Sequence, residues 1–136
     1  MESLAAQLAA SNAEIRALWD ERVRRGDVGP DLPYVAMGML AALLVDAVTG
    51  PSIDLSDFFR DLERRLTEVP PTTRNLLIVG FLEDLQNLSV NRGIPPASWR
   101  KWLGPASQEA WSMIEGLWSG SVSPAQFNHY VDRPPG

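Results

Sequence analysis

Apolar residues recur along this chain at three- and four-residue intervals, the spacing of one face of an α-helix. Leu4, Leu8, Ile15, Leu18, Trp19 and Val23 make the first stripe, with most of the nearby charges outside it. Ser11 and Glu14 have capping-box spacing, so the helix is expected to restart there. Gly26 and the DVGPD that follows predict a turn, with Asp31 as the cap of the next helix. That helix, about Pro33–Val48, is the most apolar element and is expected at the centre of the fold, ending at Gly50-Pro51. Asp54 is placed to cap a third helix, about Leu55–Glu68, whose Leu55, Phe58, Phe59, Leu62 and Leu66 oppose a charged face. On that face Asp57–Arg60, Asp61–Arg64 and Asp61–Arg65 have ion-pair spacing.

After Pro70-Pro71 a fourth helix runs from Thr72 to about Arg92. Its first half leaves no polar side: Leu76, Leu77, Ile78, Val79, Phe81 and Leu82 predict burial all round. Pro96 then opens a short helix, with Gly104 as its expected C-terminal cap. Pro105 begins the next, carrying Trp111, Ile114, Leu117 and Trp118 on one face, and Ser123-Pro-Ala-Gln126 has the pattern of a last capped helix. Sustained alternation and hairpin signals are missing. The expected fold is all-α, a compact bundle of about six or seven helices, with residues 1–131 as one domain and 132–136 as a flexible tail.

A chain of 136 residues buries roughly 70% of its unfolded surface, enough for a core without staples. With no cysteine there are no disulfides, thiolate metal sites or cysteine nucleophiles, which fits a reducing compartment. A net charge of −5 argues against general nucleic-acid binding and suits a basic partner. The first residues lack the basic and long apolar regions of a signal peptide, and the apolar run Tyr34–Val45 is too short to span a bilayer. A cytoplasmic location with no membrane contact is the expectation. Lys101 is the sole lysine beside an excess of arginine, a bias in keeping with a GC-rich bacterial coding sequence.

Candidate chemistry concentrates where Glu83 and Asp84 end the apolar stretch. A carboxylate next to a core needs a hydrogen-bond or cationic partner, or it takes up a proton. On a regular helix the two side chains diverge by about 100° and cannot act as a catalytic dyad. Either one is tied to a helix end or to an arginine such as Arg74 or Arg100, or the pair is a binding site. Trp99 and Trp102, beside Arg100 and Lys101, offer an aromatic and cationic edge, although burial is the default for tryptophan. The S-x-x-K spacing of Ser98 and Lys101 lacks the partner motifs of serine acyl-enzymes. The one histidine, His129, belongs to no metal-binding pattern. No catalytic residue, metal or cofactor is expected.

The run Gly80-Phe-Leu-Glu-Asp-Leu-Gln-Asn87, followed by Trp102-Leu-Gly-Pro105, Ser107, Trp111 and Leu117-Trp118, resembles a family of small, uncharacterised, all-helical bacterial proteins. Small acidic proteins of this kind are similar to immunity proteins of bacterial toxin systems. The resemblance implies that Glu83, Gln86, Asn87, Gly104 and Pro105 are signature positions. Read locally, Gln86, Asn87 and Glu83 would form a structural clasp on the Gly104-Pro105 joint. Binding positions are expected at Glu83, Asp84, Asn87, Trp99 and Trp102. The leading expectation for function is a protein-binding module, an immunity-type inhibitor of a toxin or other basic protein. The alternative is a small-ligand or regulatory helical protein with a pocket near Glu83.

Overall fold

The computed structural model describes residues 3–26, 32–50 and 52–133. The expected Asp31 cap, Pro51 and residues 134–136 of the expected tail lie outside them. Among the described residues there are eight α-helices and no strand. They are α1 (Leu4–Ala9), α2 (Ala13–Arg24), α3 (Pro33–Thr49), α4 (Ser56–Glu68), α5 (Pro71–Asn75), α6 (Asp84–Asn91), α7 (Pro105–Ser119) and α8 (Pro124–Val131). A π-helical segment, Leu76–Glu83, joins α5 to α6, and a 3₁₀ helix, Pro96–Trp102, lies between α6 and α7. The all-α expectation holds, at slightly more helices than the six or seven anticipated.

The first break falls one residue later than its capping box suggested. Asn12, not Ser11, caps α2: its Oδ1 accepts from the Ile15 N–H at 3.0 Å, while the Ser11 hydroxyl donates to the Leu8 carbonyl. The restart resets the helical phase, so Ile15 and Trp19 are buried whereas Leu18 and Val23 are exposed. Asn12 is 2% exposed, and its Nδ2 donates to the Asp54 carbonyl (2.9 Å) and to Asp57 Oδ1 (2.8 Å). Asp57 thus joins α2 to α4 instead of pairing with Arg60, whereas Asp61 takes both Arg64 (2.7 Å) and Arg65 (2.9 Å) as the spacing indicated. Asn12→Ser keeps a capping oxygen and removes the two donated bonds. It should cost about 1 kcal/mol, read by urea denaturation; an unchanged midpoint would show that water replaces them without loss.

Helix α3 is the central element, in contact with α1, α2, the π-helical segment and α6. Met37, Leu40, Ala41 and Leu44 are fully buried, as its composition demands. Every residue from Leu76 to Leu82 is buried or half-buried, as expected of a stretch with no polar side. Gly80 lets this segment approach α3, since a Cβ there would stand 3.1 Å from Tyr34 Cδ1 and 3.3 Å from Met37 Cβ. Opposite, α4 buries Phe58, Phe59, Leu62 and Leu66.

Arg74 is the one charged residue sealed into this core among those described, at 5% exposure. Its guanidinium lies 4.7 Å from the centre of the Tyr130 ring, and Nη1 approaches the Leu66 carbonyl at 3.5 Å. Nε and Nη2 are buried without a hydrogen-bond partner. Two effects oppose that cost: the negative end of the α4 dipole and the π face of Tyr130. At the C-terminus the Ser123–Gln126 capping box forms as expected, and Arg133 reaches Glu109 at 2.9 Å.

Candidate functional site

Each π-type i→i+5 turn takes one residue more than an α-turn, which shifts the faces expected of a regular helix from Thr72 onward. Glu83 is the last π-helical residue and Asp84 opens α6. Both are half-buried, and neither makes a hydrogen bond or ion pair with a described residue. The arginines considered as partners are engaged elsewhere: Arg74 with Tyr130, and Arg100 with Glu115 and Ser112. Gly38 of α3 makes room for Asp84, whose Oδ2 lies 3.0 Å from where a Cβ would stand. Burial pushes both carboxyls above the ordinary carboxylate range, and for Glu83 the neighbouring Asp84 charge adds to the effect. The pair is an acidic spot with no counter-charge among the described residues.

Asn87 and Val90 follow Glu83 on one stripe of the helix, four and seven residues on. They wall a groove of about 480 Å³ together with Gln86, Pro96, Glu115, Trp118 and Ser119. Gln86 is buried and donates from Nε2 to the Trp111 carbonyl at 3.0 Å, which fastens α6 to α7 beneath the groove. Above that bond Val90 is 61% and Trp118 58% exposed. Trp118 therefore departs from the face it shares with the fully buried Trp111 and Ile114. It stands in the last turn of α7, which Gly120 closes at φ +86°.

Trp99 and Trp102 belong elsewhere. Trp99 is 1% exposed, donates from Nε1 to Ser89 Oγ at 2.8 Å and packs 6.1 Å from the Phe59 ring. Trp102 is half-buried, with Lys101 Nζ 5.4 Å from its ring centre. Both wall a separate cavity of about 750 Å³ that shares no lining residue with the groove. The expected constellation thus divides: Glu83, Asp84 and Asn87 lie on the α6 side, Trp99 and Trp102 on the other.

A clasp on the Gly104-Pro105 joint exists, but its acid is Glu63 of α4 and not Glu83. Glu63 Oε2 accepts from the Ala106 N–H, and Oε1 from the Ser107 N–H and hydroxyl, all at 2.8 Å. Gln86 instead holds the middle of α7 and Asn87 is exposed, so neither reaches the joint. Gly104 is the N-cap of α7, with an extended backbone (φ −82°, ψ −178°), rather than the C-cap of the preceding helix. It supplies no side chain to the first turn, and a Cβ would fall 2.7 Å from Glu63 Cδ. A carboxylate from another helix therefore satisfies the orphan N–H groups and faces the positive end of the dipole.

A family model described as a domain of unknown function (DUF7674) matches residues 5–119, from α1 to the end of α7. The chain belongs to the DUF7674 family. No curated protein and no solved structure matches it. In this DUF7674 member the matched region holds the acidic pair, the groove and the Glu63 clasp, while α8 follows it. Among the described residues no helix is long and apolar enough to cross a membrane, and no three His, Cys, Asp or Glu side chains are grouped to hold a metal ion.

The unpaired carboxyls have a measurable signature. A carboxyl held above its ordinary range binds a proton more readily folded than unfolded, so its charge opposes folding at neutral pH. Asp84→Asn should raise the melting temperature at pH 7. The gain should fade as pH falls through the raised value and vanish below about pH 4, where the unfolded carboxyl also protonates. Thermal melts of both proteins from pH 3 to 8 test it; a gain independent of pH would mean that charge is not its cause.

Proposed function

We propose that this DUF7674 chain is a protein-binding module that holds a basic partner through the groove between α6 and α7. The carrying observation is that two exposed apolar side chains, Val90 and Trp118, border a groove on the helix stripe that also carries the half-buried Glu83, one of two carboxyls with no counter-charge among the described residues. An apolar anchor entering the groove would bury Trp118, and a lysine or arginine beside it would meet the acidic spot. Tryptophan is enriched among side chains that carry binding energy, and complementary charge speeds encounter. The net charge of −5 acts in the same direction. In its finer form the module is an immunity-type inhibitor that covers the active site of a toxin in the bacterial cytoplasm. The cysteine-free, arginine-rich composition agrees with that setting.

The test is a tagged pull-down from the source organism at about 0.15 M salt, identified by mass spectrometry. The expected result is a stoichiometric, basic partner whose capture weakens with added salt and with Glu83→Gln/Asp84→Asn. Recovery of the chain alone, or of a partner indifferent to that double variant, would overturn the proposal and turn attention to small ligands near Glu83.

A further inference from the structure

In this acidic protein most arginines are ion-paired, yet among the described residues two cations that border one hollow form no salt bridge. Arg25 and Arg74 are also engaged, the latter on Tyr130, which leaves Arg60 and Lys101. Both border Trp102. Lys101 and Trp102 line the cavity of about 750 Å³, and the same two residues with Arg60 line an adjoining hollow of about 250 Å³. Glu63 also borders that hollow, but its two oxygens are committed to the start of α7. Arg60 acts on the Asp54 charge only at a distance, without a hydrogen bond or salt bridge, so its guanidinium and the Lys101 ammonium can still take an external anion.

The rest of the cavity is chemically different. Val48, Ile53 and the edge of Trp99 give apolar surface. Asp54 Oδ1 accepts from the Ser56 N–H (2.9 Å) and hydroxyl (2.5 Å), so Oδ2 is left to accept from a ligand. Those bonds, with a smaller contribution from the Arg60 charge, hold its carboxyl below the usual range. The Ser98 hydroxyl donates to the Pro95 carbonyl at 2.6 Å, which leaves its lone pairs free. An apolar wall with an aromatic ring, two acceptors and two cations is complementary to a flat ring bearing N–H donors and joined to one anionic group. The size suits a ligand larger than an amino acid, within the usual range of small-molecule sites.

We propose that this cavity binds a nucleoside monophosphate, with the base against Trp102, its N–H groups toward Asp54 and Ser98, and the phosphate between Lys101 and Arg60. Stacking on an indole is sequence-tolerant, and the larger purines gain more from it. The site is independent of the α6–α7 groove.

Isothermal titration with AMP, GMP, CMP and UMP at about 0.15 M salt tests the assignment. At least one purine monophosphate should bind with a dissociation constant below about 1 mM. Adenosine or guanosine alone, and inorganic phosphate alone, should bind at least about 10-fold more weakly. Lys101→Met should weaken binding by about 10-fold, and Trp102→Leu by a similar factor. Lys101 is exposed, so Lys101→Met should melt with the wild type and keep the test valid if Trp102→Leu is destabilised. No saturable heat with any of the four nucleotides, or an affinity unchanged in Lys101→Met, would overturn the proposal.

Discussion

Trp118→Ala is expected to weaken capture of the protein partner by roughly 30-fold, about 2 kcal/mol, while leaving the melting temperature almost unchanged. The two halves of that expectation come from one fact: Trp118 is 58% exposed in the free protein. Its ring does little for the isolated fold, and its area becomes valuable only when a partner removes it from water. Val90 flanks the groove and Gln86 anchors its floor to the Trp111 carbonyl, so the ring meets a preformed surface. Glu83→Gln/Asp84→Asn should act differently, slowing association and flattening the salt dependence more than it speeds dissociation. Surface-plasmon or stopped-flow kinetics with the isolated partner separate these effects. A Trp118→Ala protein that binds within about twofold of the wild type would place the interface elsewhere.

Glu63→Ala should lower stability by about 2 kcal/mol, enough to drop the melting temperature by roughly 5–10 °C in a chain of this size. One carboxylate accepts three bonds at the start of α7, two from backbone N–H groups that no local side chain can satisfy. Glu63→Gln keeps one acceptor but turns an amide N–H toward the Ala106 N–H, so it should recover only part of the loss. Gly104→Ala should resemble Glu63→Ala, because its methyl group would occupy the position of the Glu63 carboxylate. Calorimetric melts of the three variants decide the matter. A Glu63→Ala melt within a degree of wild type would mean that water caps α7 equally well. Because α7 carries Trp118 at its far end, a loosened N-terminus should also reduce partner binding.

Local signals carried much of the fold. The Phe58, Phe59, Leu62 and Leu66 stripe is buried as its period requires, Pro33 opens α3, and the Ser123–Gln126 box caps α8. Each depends on residues within a turn or two of one another, where spacing alone sets geometry. The same is true of the Leu76–Leu82 run, whose lack of a polar face demanded burial whatever the helix type. Its π-type winding was not legible, since a run with no polar side is buried equally by an α- or a π-turn and its spacing does not tell them apart.

For the candidate site, the acidic pair was visible because Glu83 and Asp84 interrupt an apolar run. Their lack of a partner was not, because Arg74 and Arg100 were plausible by chain position and were taken by Tyr130 and Glu115 only in three dimensions. The clasp shows the same division. That Gly104-Pro105 begins a helix without a side-chain cap follows from its own residues, and so does the need for an acceptor. The choice of Glu63, more than forty residues earlier, follows from the packing of α4 against α7. Helix positions and core faces are properties of short segments, which physics specifies locally. Which charge finds a partner, and which tryptophan is left in water, depends on where separate helices end beside one another, and that is decided by tertiary packing.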